Sequence, residues 1–474
     1  MPTKPDEMTW RDYVIMLLHV GAELEHGLMV QYLYAAYSLG GDHLSHADQT
    51  EVRKWQDLIL TVAREEMGHL LTVQNLLCLL GGPISFDREE FPWDTPFYPF
   101  PFNFEPLTRK SLAAYVFAEM PGNFDSLEKL YAGAPKGSLA ERFASKDIPF
   151  IERTVEEWVE KDANRPVGEV YQLIHDILAN PSLIADADFR PETYPLQASW
   201  DDWGRGYHPN PAAPDGKEKK TEKANIIIER IATRTEALYA LREISGQGEN
   251  AELRRTSADE SSHFDRFKEV LQAFDRKVAR SKSWSPARPI PVNPTTVTSD
   301  NPKHAPARCT PITHPASAKW GDLFNCRYRI LLSYLTHTFR LARLVDPNAP
   351  NTRGAIMHRV FGEMYNLKAI AGILVRMPLT KDPEDTRRAG PPFQMPYTLV
   401  LPPDEVDCFS LHRDTICNSK SLCDVLLDPA NNFLASSPPE AEAYLRTLRN
   451  LDDNALSWID AVLGGLRANG GSCL

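Results

Sequence analysis

Residues 64–70 read Arg64-Glu65-Glu66-Met67-Gly68-His69-Leu70. Within them Glu66 and His69 form a Glu-x-x-His pair, and residues three apart on a helix lie side by side on one face. Counting from Glu66, the positions at helical spacing are Ile59, Val62, Ala63, His69, Leu70, Val73, Leu76 and Leu77, an apolar stripe that faces a core. The carboxylate and the imidazole therefore point inward. A buried carboxylate is costly unless it is paired or bound to a metal, and Glu-x-x-His pairs projecting into a helix bundle build di-iron and di-manganese carboxylate sites. The plainer reading is a core histidine bonded to a backbone carbonyl, with Glu66 paired to Arg64 or Lys54. A second such pair, with single inward glutamates elsewhere, favours the metal.

Upstream, a helix is predicted over Met8–Leu39, ended by Gly40-Gly41. Glu25 interrupts its apolar stripe of Leu18, Ala22, Leu28, Met29, Tyr32, Ala36 and Leu39, whereas Glu23 and His26 fall off that stripe, toward solvent. Glu25 is a candidate ligand or half of a salt bridge. The helix holding Glu66 is predicted over Thr50–Leu80, where Gly81-Gly82-Pro83 stops it. An antiparallel hairpin of the two brings Glu25 and Glu66 to one level.

Downstream, residues 84–106 carry Phe91-Pro92-Trp93 and Phe97-Tyr98-Pro99-Phe100-Pro101-Phe102-Asn103-Phe104. Such a run cannot be helical and is expected to wrap over the bundle, as packing or as a lid. Lys110–Glu119 is helical again, as is Ile148–Lys161. Pro166 opens a further helix with Glu169, Leu173 and Ile177 on one face, so Glu169 is either a ligand or a first-turn acid favoured by the helix dipole. After a loop at Trp200–Lys223, a helix is predicted over Ala224–Gly246, with Glu229, Glu236 and Glu243 as weaker candidates. The second Glu-x-x-His is Glu260 with His263. Ser257 and Glu260 also form a capping box, which would occupy Glu260 and leave Glu249, across the turn, to supply the carboxylate.

Residues 281–317, rich in Pro, Thr and Asn, read as a linker between a metal-binding bundle (1–280) and a helical C-terminal appendage (318–474). That appendage has apolar helices at Trp320–Val345 and Thr352–Met377 and a last one at Pro439–Leu466, and shows no ligand constellation. The seven cysteines are dispersed and form no Cys-x-x-Cys, which supports neither a thiolate metal site nor a disulfide framework. A length of 474 residues and a hydrophobic fraction of 42% allow a substantial core. The net charge of −12 argues against a nucleic-acid partner; the one basic run, Lys217-Glu218-Lys219-Lys220, reads as a solvated loop. No signal-type run opens the chain and no stretch looks apolar enough to span a bilayer, so the expectation is a cytoplasmic protein without a membrane partner.

Taken together, Glu23-Leu24-Glu25-His26 with Gln31-Tyr32-Leu33-Tyr34-Ala35, Glu65-Glu66-Met67-Gly68-His69, Gly81-Gly82-Pro83, Gly168-Glu169-Val170-Tyr171, Gln247-Gly248-Glu249 and Ser262-His263-Phe264 resemble the ferritin-like domain of the iminophenyl-pyruvate dimer synthase family of the violacein and rebeccamycin pathways. The resemblance spans the first 280 residues and extends loosely through Asn325-Cys326-Arg327-Tyr328 and Gly390-Pro391-Pro392-Phe393. It implies an all-α, ferritin-like four-helix core, with Glu25, Glu66, His69, Glu169, Glu249 and His263 as metal ligands and Glu260 as a local alternative. It also implies oxidative work on small amino-acid-derived molecules. The family synthases are longer, so their dimerising chemistry is not carried over. Gly248-Glu249-Asn250 also departs from the pattern, which has a second glycine there. The expected activity is that of a non-haem di-iron, or di-manganese, oxidase or oxygenase with O2 as co-substrate, since carboxylate-rich ligation with imidazole suits iron or manganese. The alternatives are a ferroxidase, or a ferritin-like scaffold without catalysis.

Overall fold

A computed structural model describes residues 2–90, 98–122, 124–157, 167–199, 202, 226–248, 261–297, 308–341, 352–396 and 398–468. The chain forms two compact units, one of Met1–Ile84 with Trp93–Ala287, the other of Ser85–Pro92 with Arg288–Leu474.

In the first unit the helices are α1 (Trp10–Ser38), α2 (His46–Leu80), α3 (Arg109–Ala118), α4 (Phe124–Tyr131), α5 (Leu139–Arg142), α6 (Ile148–Glu156), α7 (Val167–Ala179), α8 (Arg234–Gly248) and α9 (His263–Arg280). Thr9 starts α1 with a capping box to Asp12, and Ser45 caps α2. Gly81, at φ +65°, ends α2 in the left-handed conformation that glycine adopts without penalty. α1 and α2 are antiparallel: Arg11 donates to the Leu80 carbonyl at one end, and Gln56 to the Ala36 carbonyl at the other. α7 packs on α1 and α8, and α9 on α2 and α3. Every residue of α2 from Glu65 to Leu80 is buried, so this helix is the centre of the unit rather than a wall.

α1 is, by length and composition, apolar enough to cross a membrane, against the expectation from the sequence. Its apolar residues are instead core, and it buries Glu25, His26 and Gln31 among them. His26, expected toward solvent, is 0% exposed, because α1 buries more than one stripe. Tyr98, Phe100, Phe102 and Phe104 are buried too. Tyr98 donates to Gln31 of α1, and Phe104 stacks on Tyr34. The rest of that aromatic run, and the loop with its basic cluster, lie outside the described residues.

The helix predicted over Ala224–Gly246 is formed only in its C-terminal part. Residues 226–233 run non-helically and helix begins only at Arg234. Three consecutive β-branched residues, Ile226-Ile227-Ile228, favour extended backbone over helix. α2 supplies the polar partners that this buried segment requires: Thr72 donates to the Ile227 carbonyl and Asn75 to that of Glu229. The approach is close enough that a Cβ at Gly68 would stand 2.7 Å from the Ile227 carbonyl oxygen. Gly68→Ala is therefore expected to destabilise the protein by about 1–3 kcal/mol through overpacking, read as a lowered denaturant midpoint at unchanged m-value.

The second unit holds a short parallel pair, β1 (Pro294–Thr295) and β2 (Thr310–Pro311), then α10 (Pro315–Thr338), α11 (Thr352–Leu374), α12 (Glu405–Leu427) and α13 (Ala441–Ala468). Part of the predicted linker is thus built into this unit, with Ile290, Asn293 and Thr295 buried. α10 packs on α11 and α12, and α12 on α13. At the centre, Arg327 of α10 makes a bidentate contact to Glu363 of α11, at 2.6 and 2.7 Å, and reaches Asp452 of α13 at 2.5 Å.

Candidate metal centre

Four helices of the first unit deliver acids and imidazoles to one buried point. α1 contributes Glu25, and α2 contributes Glu65, Glu66 and His69. Glu119 comes from the C-terminal cap of α3 and His263 from the first residue of α9. His69 Nδ1 lies 2.8 Å from Glu66 Oε2 and 3.4 Å from Glu25 Oε2. His263 Nδ1 lies 2.9 Å from Glu66 Oε1 and 3.6 Å from Glu119 Oε2. Two triads result, Glu25/Glu66/His69 and Glu66/Glu119/His263, each with its ligand atoms within 4.8 Å of one another. Glu66 belongs to both and offers a different oxygen to each. The two imidazole rings are 5.6 Å apart.

A second layer fixes these groups. Tyr171 donates to Glu25 Oε1, and Tyr32 to Glu119 Oε1 at 2.5 Å. His69 Nε2 meets Gln247 Oε1 at 3.0 Å, and His263 Nε2 meets Glu65 Oε2 at 2.9 Å. Glu65 in turn accepts from Arg266 at 2.6 Å. Acceptors behind both rings hold the proton on Nε2 and turn Nδ1 inward, the tautomer that ligates a metal.

The donor set fits a pair of cations. Glu66 Oε1 and His263 Nδ1 are 2.9 Å apart yet misaligned for a hydrogen bond, and both are buried without a hydrogen-bond partner; an ion between them would satisfy both. An acid at a helix C-terminus is also opposed by the helix dipole, so Glu119 sits where a cation would offset the cost. Gly248 keeps space beside it, since a Cβ there would lie 3.1 Å from Glu119 Oε2. Three carboxylates and two imidazoles suit iron or manganese better than zinc or copper.

Without an ion, protons balance the charge. Burial, then the neighbouring Glu66 charge, pushes the Glu25 carboxyl up to about 7. Burial would lower the His69 pKa, but Glu25 and Glu66 outweigh it and raise it to about 10. His263 is likewise raised, burial being overcome chiefly by Glu66. The folded state thus binds more protons than the unfolded chain from about pH 4.5 to 10, so its stability falls as pH rises through that window. Metal-free protein is expected to lose several degrees of Tm between pH 6 and 9, and iron-loaded protein much less, as measured by thermal unfolding with and without a chelator. Equal slopes for both forms would exclude this proton balance.

Of the residues singled out in the sequence, Glu25, Glu66, His69 and His263 come together. Glu169 does not: it is exposed, because α7 buries Val170, Tyr171, Ile174, Ile177 and Leu178, a stripe that leaves position 169 outside. Glu119 takes the place expected of it, while Tyr171 of the same motif reaches Glu25. Glu249 and Glu260 lie outside the described residues, and the cap of the last bundle helix is Ser262. Glu229, Glu236 and Glu243 join neither triad; Glu236 instead caps α8 through Ala232 and Thr233. The sequence does not single out Glu65, Glu119 and Gln247 as site residues, although Glu119 is a lone acid closing the apolar run Ala113–Ala118. The second unit, expected to hold no ligand constellation, brings His337, Cys408 and His412 together with ligand atoms within 4.8 Å. The helix carrying two of them, α12, is not among those predicted from the sequence.

Two curated relatives are similar to this chain. Dichlorochromopyrrolate synthase of Lentzea aerocolonigenes is 26% identical over 424 residues, covering 82% of this chain and 36% of that protein. The 2-imino-3-(indol-3-yl)propanoate dimerase of Chromobacterium violaceum is 23% identical over 475 residues, covering 94% of this chain and 39% of that protein. The chain thus spans less than two-fifths of the length of either. A solved ferritin-like protein from Caulobacter vibrioides superposes with a TM-score of 0.39 at 16% identity, over 77% of this chain and 98% of that one. The ferritin-like family profile matches residues 18–272, more than half of the chain. On that match and the helical core described above, the chain belongs to the ferritin-like family.

Proposed function

We propose that this protein is a non-haem oxidase or oxygenase that uses a pair of iron ions, or manganese ions, and O2 to oxidise a small amino-acid-derived molecule in secondary metabolism. The observation that carries the reading is Glu66, buried between two imidazoles with one oxygen turned to each. Glu25 with His69 would complete one ion's ligands and Glu119 with His263 the other's. Bound there, a pair of redox-active ions supplies the electrons that activate O2. The chain's own residues do the rest. Tyr171 and Tyr32 orient the outer carboxylates through their hydroxyls, and Gln247 and Glu65 hold the imidazoles in register. A small cavity lined by Leu28, Ala118, Val167, Tyr171 and Ile244 adjoins the acids. The names of the two relatives, a synthase and a dimerase of an indolyl imino acid, support an amino-acid-derived substrate.

Anaerobic titration with Fe(II), counting bound iron, followed by O2 consumption with and without tryptophan-derived imino acid, tests the reading. About two irons per chain and substrate-dependent O2 uptake are expected. Uptake that is indifferent to any organic molecule would make the protein a ferroxidase, and failure to bind iron would leave a scaffold.

A further inference from the structure

The second unit carries a cluster that the proposed oxidase chemistry does not use. Cys408 and His412 lie four residues apart on α12 and so share a face, and His337 reaches them from the last turn of α10. Cys408, His412 and His337 are all 0% exposed. The His337 Nδ1 to His412 Nε2 distance is 2.9 Å. Behind His337, Nε2 lies 2.8 Å from Glu405 Oε2. That carboxylate keeps the proton on Nε2 and leaves the Nδ1 lone pair facing into the cluster, the carboxylate–histidine arrangement that stands behind metal-bound imidazoles. Glu405 is itself held at 2.9 Å by Arg340, whose guanidinium also lies 3.9 Å from Cys408 Sγ. The thiolate is the form that ligates a metal. The rings of Phe409 and Tyr334 wall the site, with centroids 5.1 Å from His337 and 4.8 Å from His412, respectively.

We propose that His337, Cys408 and His412 form a zinc site, separate from the carboxylate centre. Imidazole and thiolate donors suit a borderline-soft ion such as Zn2+ and not the hard-oxygen preference of magnesium, calcium or manganese. For the two imidazoles the geometry requires little movement. Two imidazole nitrogens on a tetrahedral zinc, each at about 2.0–2.1 Å, stand roughly 3.3 Å apart, a few tenths of an ångström more than the present separation. Three protein donors leave a fourth position for water or a small anion. The competing account is a buried hydrogen-bond chain in which His412 donates to His337 and His337 to Glu405, with Cys408 as inert packing.

Cobalt(II) separates the two accounts, because only a thiolate ligand gives an intense near-ultraviolet sulfur-to-cobalt band. That signal is independent of the carboxylate centre, whose ligands contain no sulfur. The metal-free 474-residue chain titrated with Co2+ alone should develop the band to saturation at about one equivalent on the thiolate site, and added Zn2+ should abolish it. Cys408→Ser should remove the band entirely, and His412→Gln should weaken Co2+ binding by at least ~10-fold. Cys417→Ser, one turn beyond the cluster on the same helix, should leave the band unchanged, and far-ultraviolet dichroism checks that each variant is folded. Absence of the band in the wild type, its persistence in folded Cys408→Ser, or its resistance to Zn2+ would each overturn the proposal.

Discussion

Replacing Glu66 by alanine is expected to take bound iron from about two ions per chain to none, with affinity reduced by far more than ~100-fold. Loss of a residue that merely supports a metal ligand already costs 10–100-fold; Glu66 supplies an oxygen to both triads, so neither keeps its ligands. His69→Ala removes a ligand from one triad only and should leave the Glu119 and His263 side able to hold an ion weakly. Helix content should survive in both variants. The charge lost with Glu66 need not leave stranded cations, because His69 and His263 can shed the protons that Glu66 helps to hold on them. Glu169→Ala is the control and should bind iron as the wild type does. Metal analysis after gel filtration, beside far-ultraviolet dichroism, decides the matter. Undiminished iron in Glu66→Ala would end the assignment of a shared carboxylate.

Arg327→Met should be the most destabilising single change in the second unit, by about 3–5 kcal/mol, against a total of about 5–15 kcal/mol for a typical protein. The guanidinium is 2% exposed and is the charge partner of two buried acids, Glu363 and Asp452, while Ser419 donates to Asp452 and also accepts from Arg327. Burial, only partly opposed by Arg327, already raises the carboxyl of Glu363, and that of Asp452 likewise. Without the guanidinium both would be driven toward their neutral forms, so the loss should deepen as pH rises. Adding Glu363→Gln and Asp452→Asn to Arg327→Met should recover much of it, since the penalty lies in the unpaired charges rather than in lost packing. Urea unfolding of the three proteins at pH 6 and pH 8 measures both effects. A single variant within 1 kcal/mol of wild type would show that the network contributes little.

The parts legible in the sequence were those encoded locally. α1 and α2 announce themselves through sustained helical periodicity and the stop at Gly81-Gly82-Pro83, and Glu66 with His69 need only a three-residue spacing. Glu25 was visible as the one acid in an apolar stripe. What the sequence hid was encoded at long range. Glu119 ends a ten-residue helix and gains its meaning from His263, far along the chain. Of the two readings open for Glu169, the first-turn acid is the one the structure has, because the buried stripe of α7 runs through its neighbours Val170 and Tyr171. Ile226 to Ile228 looked like the start of a helix until α2 was seen to supply Thr72 and Asn75 as its backbone partners. Cys408 without a nearby second cysteine gave no thiolate signal, and only the packing of α10 on α12 sets it beside two imidazoles.

The uninterrupted burial of α2 from Glu65 to Leu80 has a thermodynamic corollary. A helix buried around its whole circumference gains little from forming alone in water and is held in place by the neighbours that dock on it. Its carboxylates and imidazole therefore meet Glu25, Glu119 and His263 only in the folded chain, and an ion held by all of them would favour that state. At a free concentration a hundredfold above its dissociation constant, such an ion would add about 2.7 kcal/mol to the folding free energy, so supply of the proposed metal would bear on how much of this protein persists.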